Sequence, residues 1–117
     1  MVVGFPDDSD GRALRRVAND GSDMSKPMFI NFHILVPSEE TALALAAEAQ
    51  KLGYRTHVYD GDGVARWTCE CSTRMLATYE GVVAVQDELG EVSAPFGGRC
   101  DGWGTFGNGP NGQPDIS

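Results

Sequence analysis

The chain is poor in basic residues. Nine lysines and arginines stand against 17 aspartates and glutamates, for a formal net charge of −8. Counterion-driven nucleic-acid binding needs a basic footprint, so the balance argues against direct contact with nucleic acid. It argues equally against an anionic membrane surface. No apolar run approaches the ~20 residues of a membrane span. The opening Met1-Val2-Val3-Gly4-Phe5-Pro6-Asp7-Asp8 has neither the basic n-region nor the long apolar h-region of a secretory signal. These absences predict a cytoplasmic protein.

Catalytic and metal-binding patterns are scarce as well. There are three cysteines, an odd count and a poor disulfide framework. Cys69 and Cys71 sit two apart on an expected strand, with side chains projecting in parallel, so reduced buried thiols are expected. Zinc would need Cys100 and His57 to join them, yet alternation puts His57 on the opposite face. The two histidines, His33 and His57, fall two strands apart, roughly 10 Å by strand spacing, too far for one to orient the other. No G-x-S-x-G and no G-K-[ST] occurs. The acidic Asp60-Gly61-Asp62-Gly63 lacks the further ligands and distal glutamate of a calcium loop. The expectation is no catalytic residue, no cofactor and no metal.

What the chain does contain is a periodic pattern of short elements. Asp7, Asp8 and Ser9 offer caps for a first helix, which carries Leu14, Val17 and Ala18 on one stripe and closes at Asn19-Asp20-Gly21. Met28 to Val36 alternates cleanly between Pro27 and Pro37, with Met28, Ile30, Phe32, Ile34 and Val36 on one side. Ser38 caps a second helix bearing Ala42, Leu45, Ala46, Ala49 and Leu52, ended by Gly53. Tyr54 to Tyr59 reads as a second strand, Asp60-Gly61-Asp62-Gly63 as a hairpin turn, and Val64 to Thr73 as a third strand. A third helix opens at Thr78, with Val82, Val85, Leu89 and Val92 in its stripe, and fades near Ala94-Pro95.

Strand–helix–strand–hairpin–helix is most of a split βαβ unit. The expected class is α+β: a ferredoxin-like antiparallel sheet with helices packed on one face, an extra N-terminal helix and a Gly-rich C-terminal segment. The third strand should lie between the first two. Residues 1–108 are expected to form a single domain, with 109–117 a flexible tail. A fourth strand is not obvious, because the stretch from Phe96 to Gly112 is too glycine-rich for plain alternation. The segment occupies the place of a fourth strand in the sequence and is expected to flank the first strand irregularly, held by its apolar anchors Trp103 and Phe106.

Two surfaces attract attention. Phe29, His33, Arg55, Tyr59 and Arg66 share the outward side of the sheet, and aromatic residues beside arginine are frequent interface anchors. The loop residues Arg99, Asp101 and Trp103 form the second group, either structural or functional. Trp103 is expected to be mostly buried, and Arg99 or Asp101 to pair with the acidic N-terminal segment. A small ligand-binding or hydrolase domain using this loop is one alternative, and a protein-interaction module unrelated to RNA is another.

Six stretches in order carry a family resemblance: Phe5-Pro6-Asp7-Asp8, Asn19-Asp20-Gly21-Ser22-Asp23 with Ser25-Lys26-Pro27, Pro37-Ser38-Glu39-Glu40, Gly53-Tyr54, Thr78-Tyr79-Glu80, and Gly97-Gly98-Arg99-Cys100-Asp101-Gly102-Trp103-Gly104. Together they resemble the regulator of ribonuclease activity B family, across roughly residues 5 to 107. The resemblance implies a small cytoplasmic bacterial protein of ferredoxin-like fold. It also implies a protein partner, ribonuclease E, whose endonucleolytic activity such proteins damp without cutting RNA themselves. Cys100 departs from the pattern, which has Asn beside Asp101; a thiol makes weaker hydrogen bonds than an amide.

Overall fold

The computed structural model describes residues 7–60 and 67–108. The elements run α1 (Ser9–Asn19), β1 (Met28–Val36), α2 (Glu39–Lys51), β2 (Arg55–Asp60), β3 (Trp67–Met75), α3 (Tyr79–Ser93), a 3-10 turn (Ala94–Phe96) and β4 (Arg99–Gly104). The four strands form one sheet in the order β2-β3-β1-β4. β2 pairs antiparallel with β3, and β1 with β4. The third strand lies between the first two, as the sequence pattern expects, and the class is α+β. Arg66, most of the expected hairpin turn and the tail 109–117 lie outside the described residues.

The chain divides into two compact units. The larger comprises Asn31–Thr73 and Gln86–Gly104. It is organised by β1, whose burial alternates strictly along Met28–Val36. Phe32 and Ile34 are fully buried. Each contributes about 1.5–3 kcal/mol by leaving water. Register places Val58 opposite Cys69 and Thr56 opposite Cys71. Both cysteines are buried and free, with sulfurs 3.8 Å apart. The hydrogen bond to Cys69, reinforced by burial, pushes the Cys71 thiol up and keeps it protonated.

The helices of this unit cover the cysteine side of the sheet. α2 starts with a reciprocal capping box between Ser38 and Thr41 and presents Ala42, Leu45, Ala46 and Ala49 inward. At its end Gln50 Nε2 donates to Thr56 Oγ1 at 2.7 Å. From α3, Leu89 is buried, and Cys100 Sγ lies 3.8 Å from Gln86 Oε1. Tyr54, buried just before β2, donates its hydroxyl to Glu88 Oε1 at 2.5 Å. Val85 and Val92, expected in the α3 stripe, are half-buried only.

The Gly-rich segment flanks the first strand irregularly, as its place in the sequence suggests, and does so as a paired strand. The Gly-rich segment forms β4, paired with β1, so Arg99, Asp101 and Trp103 stand on a strand and not on a loop. Alternation was hidden by a bulge. Asp101 and Gly102 together oppose His33, between the pairs Phe32–Trp103 and Ile34–Cys100. Gly102 adopts φ +104, a conformation that costs a non-glycine residue dearly. Trp103 is mostly but not fully buried, as expected, whereas Phe106 is 69% exposed and is not the anchor the sequence suggests.

The second unit comprises Met1–Ile30, Arg74–Val85 and Thr105–Ser117. Asp8 caps α1 by accepting from Gly11 N at 2.8 Å and also accepts from the Tyr79 hydroxyl at 2.7 Å. The Tyr79 bond, then the Gly11 bond, hold the Asp8 carboxyl below the usual range. Asp7 pairs with Arg12 at 3.3 Å. Asp7 and Asp8 thus find these partners within their own unit. Thr105 Oγ1 donates to the Phe29 carbonyl at 2.6 Å. Asn108 accepts from Asp23 N at 2.7 Å and donates to the carbonyls of Asp23, Lys26 and Pro27. One side-chain amide thereby fixes the whole turn that leads into β1.

Two outcomes test this packing. A Cβ added at Gly98 would sit 2.9 Å from Ser93 Cβ and 3.0 Å from Val36 Cγ1, whereas one at Gly104 meets nothing within 4 Å. Gly98→Ala is therefore expected to cost about 1–3 kcal/mol in urea denaturation, and Gly104→Ala much less. Burial, then the Glu88 hydrogen bond and charge, raise the Tyr54 phenol above its ordinary value of 10.0. Its folded value lies above its unfolded one, so its stabilisation is complete below the ordinary value and declines as pH rises beyond it. Denaturation series on either side of that pH should show stability falling, with a shallower fall in Tyr54→Phe.

Candidate protein-docking face

Strand alternation builds the site. On β2, Arg55, His57 and Tyr59 project to the side away from Val58 and the cysteines. All three are exposed. Their register partners on β3 are Ser72, Glu70 and Thr68. On the central strand, His33 and Asn31 reach the same side. His33 Nε2 lies 3.3 Å from Glu70 Oε2, and Ser72 Oγ lies 2.6 Å from Asn31 Oδ1.

Glu70 is thus the hub of this face. Its carboxylate has His33 on one side and the register partner His57 on the other. The ring of His57 leans on Tyr59, with centroids 5.3 Å apart and planes tilted by 36°. Burial, then the nearby Glu70 charge, raise the Tyr59 phenol, and a hydrogen bond with Thr68 offsets part of this. Among the described residues, the result is a polar surface of imidazole and phenol rings with Arg55 and the Glu70 carboxylate, its hydrogen bonds made laterally between strands. Such a surface can bind a partner through hydrogen bonds and ring contacts without first breaking a buried core.

The structure brings together only part of the sequence-chosen set. His33, Arg55 and Tyr59 share this face. Phe29 belongs to the other unit, where its carbonyl is bonded to Thr105, and Arg66 lies outside the described residues. Glu70 and His57 were missed as members. Alternation marks both as outward, but only the β2–β3 register shows that they are neighbours. Arg99, Asp101 and Trp103 do not converge. Arg99 is opposite Leu35, Trp103 opposite Phe32 on the other side of the sheet, and Asp101 sits in the bulge. His57 faces away from Cys69 and Cys71, as alternation predicted.

These elements define a small α+β protein with one side of its sheet packed under helices and polar groups on the other. Comparison with known proteins takes the assignment further. Residues 7–105 match the sequence family described as Regulator of ribonuclease activity B. The Regulator of ribonuclease activity B of Escherichia coli (strain K12) is 30% identical over 106 residues, spanning 86% of this chain and 75% of the relative. Proteins of the same description from Salmonella typhi and Actinobacillus succinogenes are 29% and 28% identical. They cover 86% and 87% of this chain, and each aligns over 75% of its own length. The chain belongs to the regulator of ribonuclease activity B family.

The lateral pairs on the polar face are partly solvated, and such pairs contribute about 0–1 kcal/mol each. His33→Ala is therefore expected to leave the urea midpoint nearly unchanged, while Phe32→Ala, one residue away on the buried side, costs about 3–5 kcal/mol. Equal losses would show that the polar face is core.

Proposed function

We propose that this chain is a non-enzymatic modulator that binds a ribonuclease of the ribonuclease E type in the cytoplasm and lowers its endonucleolytic activity. The observation that carries the reading is the family match across residues 7–105. The relatives' shared description names ribonuclease activity as the thing regulated. Charge supports a protein partner over RNA, because a chain with net charge −8 repels a polyanion and attracts a basic protein surface. The side-chain chemistry on the polar face is that of recognition: His33 and Glu70 engage each other, and Tyr59 is held in its neutral form.

The docking surface of this reading is the face of His33, Arg55 and Tyr59. Arg55 and Tyr59 are the expected anchors, since arginine and tyrosine supply a large share of binding energy where they occur at interfaces. The ligand-binding or hydrolase reading of Arg99, Asp101 and Trp103 loses support from the opposed directions of Arg99 and Trp103.

Purified chain added to purified ribonuclease E and a defined RNA should lower the initial cleavage rate in a saturable manner. Arg55→Glu combined with Tyr59→Ala should weaken the effect by about tenfold or more, at unchanged melting temperature. A cleavage rate independent of added chain would reject the reading. Undiminished inhibition by the double variant would move the docking surface elsewhere.

A further inference from the structure

The polar face leaves one pair of reactive groups unused. Cys69 and Cys71 are fully buried and free, with sulfurs 3.8 Å apart. Both lie on β3, opposite Val58 and Thr56. Between them, on the other side of the strand, stands Glu70, which meets His33 Nε2 at 3.3 Å and has His57 as its register partner. The residue around which the polar face is arranged is therefore flanked along the chain by two thiols. The thiols are also unequal. A hydrogen bond from Cys71 holds the Cys69 thiol below its ordinary value, against the effect of burial, so Cys69 reaches the thiolate form first.

We propose that Cys69 and Cys71 are a reversible oxidation site, and that their disulfide displaces Glu70 and so dismantles the polar face. The oxidant is a hydroperoxide. Cys69 Sγ, as thiolate, attacks one peroxide oxygen; the O–O bond breaks, and hydroxide leaves and takes up the proton that Cys69 lost. Cys71 Sγ then attacks the sulfenic sulfur; the S–S bond forms, the S–O bond breaks, and water departs with the Cys71 proton. With hydrogen peroxide, two thiols become one disulfide and one peroxide is reduced to two waters. Residues two apart on a strand have Cα atoms roughly 6.6 Å apart, near the long end of the range a disulfide spans, about 4.4–6.8 Å. Closing the bridge therefore shortens β3 between its pairings with Val58 and Thr56, and the Glu70–His57 pair lies between those two. Contraction there draws Glu70 out of register with His57 and away from His33. A bridge under such strain is readily reduced, the property of a regulatory disulfide and not of a structural one. Loss of docking on oxidation rests on the ribonuclease reading above; the bridge and the movement of Glu70 do not.

Full burial makes the reaction wait on local opening, so oxidation of the native chain should be slow. The test treats the native chain with hydrogen peroxide and follows it by tryptic mass spectrometry. Cleavage after Arg66 and Arg74 releases Trp67–Arg74, which holds both cysteines and is separate from Cys100, which follows Arg99. That peptide is expected to lose about 2 Da, the mass of two hydrogens, and to regain it with dithiothreitol. The His33 ring signals in NMR should shift as the bridge forms and return on reduction, and Cys69→Ala should show neither change. The oxidised chain should inhibit ribonuclease E less well, by about fivefold or more, with recovery in reductant. A peptide that stays reduced or only gains oxygen, a bridge to Cys100 or between chains, or a bridge that leaves the His33 signals in place would overturn the proposal. If the reduced chain fails to inhibit the nuclease, the docking reading falls, while the peptide mass and the His33 signals still decide on the bridge.

Discussion

The strict alternation of β1 is the constraint from which the rest follows. Met28, Ile30, Phe32, Ile34 and Val36 are buried while every residue between them is only partly so. A slip of one residue would drive His33 and Asn31 inward and turn the apolar set to water, so the register is firmly specified. Once it is set, β3 and β4 take their places on either side. Each then inherits a packed side and a polar side. The core and the polar face are two consequences of a single period.

Much of this was legible in the residues. The bounds of β1 follow from its alternation and flanking prolines, and those of α2 from Ser38 at one end and Gly53 at the other. The position of β3 between β1 and β2 followed from the order of elements. β4 was not legible. A bulge places two residues against one, so apolar residues cease to alternate, and glycine contributes no side chain to count. Phe106 misled for another reason: hydrophobicity predicts burial only when the fold provides a partner, and here the ring stays 69% exposed. The four side-chain hydrogen bonds of Asn108 are equally invisible in one dimension, since they join residues about eighty positions apart.

The polar face was half legible for a related reason. Alternation assigns a side to each residue but not a neighbour. Alternation groups His33, Arg55 and Tyr59 as an aromatic and basic set but gives no reason to join Glu70 to it. Register makes it the residue around which His33 and His57 are placed. By the same logic Arg99 and Trp103, close in sequence, are sent to opposite sides of the sheet by the bulge between them. Family membership then gives this geometry its meaning, because a face rich in lateral hydrogen bonds suits a protein that acts by contact.

The most direct measurement is an NMR titration of the isotopically labelled chain with unlabelled ribonuclease E. The account predicts that signals of His33, Arg55, His57, Tyr59 and Glu70 shift or broaden, while those of the outer surface of α2 stay in place. Shifts confined to α2, or an unchanged spectrum at saturating nuclease, would contradict it.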